Sequence, residues 1–213
     1  TVTVEDNVPP IAVCVDITVE LDAAGNGSIT AADIDGGSTD ACGVESTTID
    51  ETEFNCDNLG ANTVTLTVTD VNGNTSTCQA SVTVEDNIPP VAISTDLTVQ
   101  LDVNGTAFII AEDLDNGSYD NCGTITFSVT IAPAPITTNN GPVTAPFVIS
   151  QDTIYFFCED VGENYFNLIV TDGSGNSSSS LSTVTVEDNI APDALCQDTT
   201  IELDANGEAS IVA

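Results

Sequence analysis

The stretch that decides the fold is Thr3-Val4-Glu5-Asp6-Asn7-Val8-Pro9-Pro10, because it occurs three times. It returns with one change at residues 83–90, and with Ala191 in place of the first proline at residues 185–192. Repetition of this kind is typical of a tandem array of one supersecondary unit. We therefore look for function in the array and its junctions before any single pocket.

The copies of the octapeptide begin at residues 3, 83 and 185, so the two periods are 80 and 102 residues long. The extra 22 residues fall between Cys122 and Cys158, and we place this insertion near residues 132–152. The predicted organisation is the last strand of a preceding repeat at 1–7, repeat 1 at 8–87, repeat 2 at 88–189 and the opening strands of a further repeat at 190–213. The ends indicate a segment of a longer array, formed by one polypeptide or by subunits that complete one another's domains.

Apolar and polar residues alternate along the predicted strands. Val64, Leu66 and Val68 are interleaved with threonines, which is the period of a half-buried sheet. Short strands separated by Asp-Gly and Asn-Gly turns predict an all-β fold of tandem immunoglobulin-like antiparallel β-sandwiches, joined by short acidic linkers that contain proline. No segment predicts a helix, and no apolar run approaches the roughly 18 residues of a membrane span.

The chain carries only negatively charged side chains, with 34 Asp and Glu and no Lys, Arg or His. Only protons, metal ions or outside cations can neutralise these carboxylates. Two carboxylates about 4 Å apart repel by roughly 4 kcal/mol near a protein surface, so clustered acids need a counter-ion. Nucleic acid and anionic membrane are excluded as direct partners because both require a basic face. The same composition also fits an acidic surface that only solubilises the protein.

Acidic residues concentrate in the linkers and in two loops of each repeat, at residues 33–40 and 70–74 and their counterparts. The predicted strand directions place both loops at the end of the sandwich where the linker enters. Converging carboxylate and amide oxygens suit calcium, which takes six to eight oxygen ligands, although each motif alone is also an ordinary turn. The predicted calcium ligands are Glu5, Asp6, Asn7, Asp33, Asp35, Asp40, Asp70, Glu85, Asp86, Asn87, Asp113, Asp115, Asp120, Asp172, Glu187, Asp188 and Asn189.

The cysteines differ between the repeats in a paired way. Cys14 and Cys78 are both replaced in repeat 2, by Ser94 and Ser180, whereas the other two cysteines are kept in both repeats. Paired loss indicates a paired bond. The predicted disulfides are Cys14–Cys78, Cys42–Cys56 and Cys122–Cys158, with Cys196 left to a partner beyond residue 213. Zinc thiolate sites are disfavoured because the chain has no CxxC spacing and no His. Disulfides predict an extracellular location, secreted or at the cell surface.

Catalytic chemistry has few residues to use. Without His or Lys, the Ser/His/Asp, Cys/His and Schiff-base mechanisms are not available. Thr171-Asp172-Gly173 is superficially similar to an aspartic protease motif, but Asp172 aligns with Asp70 of the other repeat and so belongs to the repeat architecture. The sequence therefore predicts a protein that is not an enzyme.

The repeat resembles a known family. A Glu-Asp-Asn-x-Pro-Pro opening, a Cys soon after it, and a Thr-Asp-x-x-Gly-Asn turn followed by Cys and Val-Thr-Val resemble hyalin-type (HYR) repeats and the Ig-like repeats of large bacterial surface adhesins. The resemblance covers residues 8–87, and residues 88–189 apart from the insertion and the missing cysteine pair. By analogy, the linker is also similar to the calcium-rigidified junctions of cadherins.

The resemblance implies a non-enzymatic structural segment of an extracellular, calcium-stiffened array, such as the stalk or filament of an adhesin or a matrix fibre. Its partners would be other repeats of the array or identical subunits end to end. The alternative is a carbohydrate- or protein-binding adhesion module that uses the insertion of repeat 2 to bind glycans or surface proteins. Thr153 and Thr199 follow Asp in a pattern that resembles glycan acceptors of some bacterial secreted proteins.

Overall fold

The computed structural model describes residues 1–132, 148–150, 152–192 and 200–210, and it contains two β-sandwiches. The first sandwich contains helix α1 (Ala31–Ile34), a 3-10 turn at Cys56–Asn58 and strands β1 (Ile17–Glu20), β2 (Asn26–Ser28), β3 (Val44–Ile49), β4 (Glu53–Asn55), β5 (Gly60–Asp70) and β6 (Thr75–Glu85). The second contains 3-10 turns at Ala111–Leu114 and Cys158–Asp160 and strands β7 (Leu97–Gln100), β8 (Thr106–Ile110), β9 (Ile125–Ile131), β10 (Val148–Ser150), β11 (Thr153–Phe157), β12 (Gly162–Asp172) and β13 (Ser177–Glu187).

The first sandwich packs a four-stranded sheet, in the order β1-β6-β5-β3, against the β2-β4 pair. The period-two pattern of β5 turns Val64, Leu66 and Val68 inward, where each is fully buried. These side chains share one core with Phe54 of β4 and Ile34 of α1. At about 25 cal/mol per Å², burial of such side chains is the main stabilising contribution to the sandwich.

The second sandwich repeats this plan with the sheets β7-β13-β12-β9 and β10-β11-β8. Its mainly aliphatic core contains one aromatic pair, in which Phe156 of β11 meets Phe166 of β12 edge to face at 5.9 Å between ring centroids. The predicted all-β, immunoglobulin-like sandwich fold is confirmed.

Two local features differ from the sequence prediction. β1 runs parallel to β6, and β7 parallel to β13, because both members of each pair run away from the end where the linker enters. The four-residue α1 was not predicted, since it is too short to show a helical period. It is fixed by its cap, in which Asp33 Oδ2 accepts hydrogen bonds from Thr30 N and Oγ1, each at 2.7 Å.

The predicted Cys14–Cys78 disulfide is present, with 5.8 Å between the Cα atoms. In the second sandwich the equivalent Ser94 and Ser180 lie opposite each other, with their hydroxyl oxygens 2.8 Å apart in a hydrogen bond. The replacement of a cysteine pair by a serine pair thus exchanges a covalent cross-link for a polar one at the same position.

The predicted Cys42–Cys56 and Cys122–Cys158 bonds are wrong. Cys56 is bonded instead to Cys122, with 5.3 Å between the Cα atoms, so that this disulfide joins the two sandwiches. The reason is positional: Cys42 precedes β3 at the end where the linker enters, whereas Cys56 follows β4 at the opposite end, beside the β1–β2 turn. Cys42 and Cys56 are therefore at opposite ends of the first sandwich.

Several predictions fall outside the described residues: the tip of the insertion, Cys196 and Thr199. Thr153 is described and is the first residue of β11. In the described part of the chain, no helix has the length and apolar character needed to cross a bilayer.

Candidate metal centres at the junctions

The linker between the sandwiches is held from both sides. Leu21 N of the first sandwich donates a hydrogen bond to Glu85 O at 2.9 Å. From the second sandwich, the Asn176 side-chain amide donates to Asp86 O at 2.8 Å. Asp86 is only 4% exposed, so the linker buries a carboxylate where the two sandwiches meet.

A second carboxylate comes from the turn between β12 and β13. Asp172 Oδ1 accepts hydrogen bonds from Ser174 N at 2.9 Å and Asn176 N at 2.8 Å. Gly175 has a φ of +95°, a value that a glycine adopts without steric cost. The Thr-Asp-x-x-Gly-Asn motif therefore folds around its own aspartate and holds it, 7% exposed, at the junction.

The third carboxylate, Asp120, lies in the loop before β9. Its Oδ2 accepts a hydrogen bond from Cys122 N at 2.8 Å. The next residue, Asn121, donates from its side-chain amide to Asp86 Oδ1 at 3.2 Å. Because Cys122 is bonded to Cys56, the disulfide fixes this loop against the first sandwich.

These side chains form the inner cluster, defined as Asp86, Asp120, Asn121 and Asp172. Oxygens of its three carboxylates all lie within 4.8 Å of one another. Asp86 Oδ2, Asp120 Oδ1 and Asn121 Oδ1 are buried and have no hydrogen-bond partner. A buried polar atom without a partner costs roughly 1–3 kcal/mol, and clustered carboxylates add mutual repulsion.

The inner cluster is chemically suited to a hard cation. All of its free atoms are oxygens, and the chain has no Lys, Arg or His that could neutralise them. Carboxylate and amide oxygens are the ligands that calcium prefers, with six to eight around each ion. The three unpartnered oxygens and Asp172 could supply part of such a shell, and water or backbone carbonyls the remainder.

An outer cluster, defined as Asp6, Asp40 and Cys42, occupies the equivalent place at the N-terminal end of the first sandwich. It is more exposed than the inner cluster. A hydrogen bond with Asp6 is the largest cause that raises the pKa of the Cys42 thiol above its usual value. Asn74 links this cluster to the buried Asp70, since its amide donates to Asp6 O at 3.1 Å and to Asp70 Oδ2 at 2.8 Å.

Asp70 is fully buried in the same kind of turn as Asp172. Burial by itself raises the pKa of Asp70, but hydrogen bonds from Asn74, Asn72 and Gly73 outweigh it and leave the pKa below its ordinary value. The folded turn is therefore built for an ionised carboxylate.

Four predicted ligands in the loops after β2 and β8 belong to neither cluster: Asp33, Asp35, Asp113 and Asp115. Asp33 and Asp113 cap the turns after β2 and β8, where Asp113 Oδ2 accepts a hydrogen bond from Ile110 N at 2.8 Å. The backbone hydrogen bond from Thr30 is the largest cause that lowers the pKa of Asp33. Local capping thus accounts for these two carboxylates without a metal.

Asp35 and Asp115 fold back on the loops that contain them. Asp35 Oδ1 accepts from Ser38 N at 2.8 Å and from Ser38 Oγ at 2.7 Å, and Asp115 Oδ1 accepts from Ser118 N at 2.9 Å. The side-chain hydrogen bond from Ser38 is the largest cause that lowers the pKa of Asp35. The Asp-x-Asp motif is therefore a pair of turn-forming carboxylates.

The remaining predicted ligands lie on the linkers outside both clusters. Glu5, Asn7, Glu85 and Asn87 are exposed, and the Asn87 amide lies 3.4 Å from the carboxylates of Glu20 and Glu85. In the third linker Asp188 and Asn189 are exposed and Glu187 is half-buried. Within each Glu-Asp-Asn triplet of the first two linkers, the structure brings only the Asp side chain into a cluster.

Sequence reasoning missed two members of the clusters, Asn121 and Cys42. Asn121 aligns with Ala41 of the first repeat, so the repeat comparison gave no reason to select it. Cys42 was assigned to a disulfide, which removed it from consideration as a neighbour of Asp6. The available signal was their position in the sequence: Asn121 directly follows Asp120, and Cys42 lies two residues after Asp40.

No protein-family model matches the sequence, and neither does any curated protein. Among solved structures, cadherin domains 1–4 of Protocadherin Gamma B7 align with 85% of this chain and 51% of their own length, at 14% identity and a TM-score of 0.41. EC1-2 of human Protocadherin-24 aligns over 86% and 100%, at 12% identity and a TM-score of 0.45. A three-Ig fragment of titin aligns over 84% and 66%, at 13% identity and a TM-score of 0.34.

This chain therefore spans about half the length of the Protocadherin Gamma B7 fragment and all of the Protocadherin-24 fragment. Similarity at these scores assigns neither a family nor a function to the chain.

Proposed function

We propose that the chain is a non-enzymatic structural segment of an extracellular array of Ig-like repeats, in which calcium stiffens the joint between neighbouring repeats. In this array the domain boundaries are those predicted above, and the segment is part of a stalk or filament, like HYR-type repeats. Its partners are further repeats of the array. The observation that carries it is the inner cluster, whose buried oxygens without partners lie between the two sandwiches.

The position of the inner cluster explains how an ion would act. Asp86 belongs to the linker, whereas Asp120 and Asp172 belong to the second sandwich. A cation bound by all three would tie the linker to that sandwich and remove the repulsion between the carboxylates. Without the ion, the same repulsion favours separation of the linker from the loop.

The test compares two charge-removing variants at adjacent residues. Asp86→Asn changes a member of the inner cluster, and Glu85→Gln removes the same charge from an exposed side chain one residue away. Calcium binding is measured by titration calorimetry and by the melting temperature. At a free calcium level tenfold above the Kd, the native chain is expected to gain about 1.4 kcal/mol of stability.

Asp86→Asn is expected to lose this gain and, in chelator, to be more stable than the native chain because one repelling charge is gone. Glu85→Gln is expected to keep the gain. If calcium changes neither the heat signal nor the melting temperature of the native chain, or if both variants respond equally, the inner cluster is not a structural calcium site.

A further inference from the structure

The two free cysteines of the described chain stand at positions equivalent to the two that form the inter-sandwich bond. In the repeat alignment Cys42 corresponds to Cys122, and Cys158 corresponds to Cys56. Cys56 and Cys122 are bonded to each other, whereas Cys42 and Cys158 are free and exposed. Each free cysteine therefore resembles one half of a bond whose other half lies in a neighbouring repeat.

The surroundings of Cys158 match those of Cys56. The sulfur of Cys56 lies 3.9 Å from Gly25 O, and the sulfur of Cys158 lies 3.8 Å from Gly105 O. Both glycines have positive φ, +74° and +73°. A Cβ on either glycine would collide with the neighbouring sulfur, so both turns leave room for a sulfur at the same place.

The surroundings of Cys42 likewise match those of Cys122. Cys42 N donates to Asp40 Oδ1 at 2.7 Å, as Cys122 N donates to Asp120 Oδ2 at 2.8 Å. The linker before each loop is also held in the same way, by the amide of Asn74 or of Asn176. The end of the first sandwich that carries Cys42 is thus a copy of the end that carries Cys122.

The linker leaves both sandwiches along the same path. Leu101 N donates to Glu187 O at 2.9 Å, as Leu21 N donates to Glu85 O at the same distance. Asn189 then contacts Gln100, the counterpart of the contact between Asn87 and Glu20. A repeat that follows residue 189 would therefore start in the direction that the second sandwich takes from the first.

We propose that Cys158 forms a disulfide with the cysteine at the Cys42 position of a following repeat, and Cys42 with the cysteine at the Cys158 position of a preceding one. Every joint between such repeats is then closed by one disulfide. The partner is another repeat of this kind, in the same polypeptide or in a second copy. The proposal rests on the array of the proposed function, but not on calcium.

Bond formation requires an oxidant, and a small-molecule disulfide such as oxidised glutathione is sufficient. One protein thiolate attacks a sulfur of oxidised glutathione, so that a protein–glutathione mixed disulfide forms and one reduced glutathione leaves. The second protein thiolate then attacks the protein sulfur of that mixed disulfide and releases the other glutathione. Two thiols lose two protons and two electrons, and one oxidised glutathione becomes two reduced molecules.

The test extends the full chain by a tandem duplication, in which residue 189 is followed by a second copy of residues 8–213. This junction recreates the octapeptide without added residues. Cys42→Ser in the first copy, Cys158→Ser in the second and Cys196→Ser leave one free cysteine on each side of the new joint. The protein is oxidised in glutathione buffer and digested without reduction, and its peptides are mapped by mass spectrometry.

A Cys158–Cys42 peptide from monomeric protein, formed to an extent within twofold of the Cys56–Cys122 peptides, is the expected result with and without calcium. Free thiols at the new joint, while Cys56–Cys122 forms in the same sample, would overturn the proposal. Loss of the calcium effect alone would instead contradict the proposed function, so the two failures are distinguishable.

A second arm identifies the source of the partner. Single chains carrying Cys42→Ser or Cys158→Ser, both with Cys196→Ser, are mixed and oxidised. An excess of disulfide-linked heterodimers over homodimers supports docking of separate copies, and monomers alone, with the tandem bond formed, support a joint within one polypeptide. Homodimers in statistical proportion with heterodimers would show random oxidation and would count against a docking geometry.

Discussion

At the scale of single residues, the two sandwiches differ by an Asn in one and an Asp in the other at equivalent positions, Asn58 and Asp160. Asn58 of the first sandwich accepts a hydrogen bond from Asn55 N at 2.9 Å, and the equivalent Asp160 accepts one from Phe157 N at 2.7 Å. Asp160 is only 4% exposed, and its Oδ1 is buried without a hydrogen-bond partner. Burial is the largest cause that raises the pKa of Asp160 above its ordinary value.

This raised pKa gives stability a predictable dependence on pH. Since the folded state holds the proton more tightly than the unfolded state, the contribution of Asp160 is full below its unfolded pKa and is lost as the pH rises through the folded pKa. Asp160→Asn cannot ionise. It is expected to be more stable than the native chain at pH 7, by on the order of 1 kcal/mol, with the difference shrinking towards pH 3.

Urea unfolding at pH 3, 5 and 7 in calcium-free buffer measures this difference. The reciprocal change, Asn58→Asp in the first sandwich, serves as the control and is expected to lower stability at pH 7. A stability difference between Asp160→Asn and the native chain that does not vary with pH would contradict the explanation.

At the scale of elements, much of the architecture could be predicted from residue periodicity and from comparison of the two aligned repeats. Period-two alternation in Val64, Leu66 and Val68 is a direct consequence of a sheet with one buried face, so β5 and its partners were predictable. The disulfides were predictable only in part. Paired loss of Cys14 and Cys78 identifies a bond within a repeat, but paired retention of cysteines is equally consistent with bonds within and between repeats.

The aspartates of the inner cluster could be predicted from the sequence, but the sequence also selected aspartates that lie outside it. Strand direction predicted that Asp86, Asp120 and Asp172 are neighbours, and their carboxylate oxygens lie within 4.8 Å of one another. Their role as calcium ligands stays a prediction. Asp33 and Asp35 were selected by the same reasoning, yet short side chains before a turn are also satisfied by local backbone N–H groups. Sequence spacing alone does not distinguish these two uses of an aspartate.

The β1–β2 turn is an element whose shape the inter-sandwich disulfide requires. A Cβ on Gly25 would lie 2.8 Å from the sulfur of Cys56 and 3.1 Å from Asn121 O. Gly25→Ala therefore combines an unfavourable positive φ, roughly 1–2 kcal/mol, with a collision at the joint. Gly73→Ala is the matched control, since Gly73 has a φ of +88° and open space around it.

We expect both variants to lose stability from backbone strain, with the larger loss for Gly25→Ala. Only Gly25→Ala is expected to expose Cys56 and Cys122 to faster reduction, measured by thiol titration at a fixed concentration of dithiothreitol. Equal reduction rates in the two variants would show that the turn does not constrain the disulfide.

At the scale of the whole molecule, one disulfide and one candidate metal site lie at the same joint. The Cys56–Cys122 disulfide ties the first sandwich to the loop before β9, and the inner cluster places the linker beside the same loop. The disulfide limits how far the sandwiches separate, whereas a bound cation would limit how they rotate about that tether. If calcium binds as proposed, the disulfide and the ion would each restrict a motion that the other allows.

Because the disulfide and the proposed ion would restrict different motions, their removal is expected to change the shape of the chain non-additively. Small-angle scattering is recorded for the native chain and for Cys56→Ser/Cys122→Ser, each with calcium and with chelator. We expect the distribution of interdomain distances to broaden modestly when either the disulfide or calcium is removed, and much more when both are absent. Cys14→Ser/Cys78→Ser is the matched control, because it removes a disulfide inside one sandwich and leaves the joint intact. If that control broadens the distribution as much as Cys56→Ser/Cys122→Ser in chelator, the stiffness of the chain does not reside in the joint.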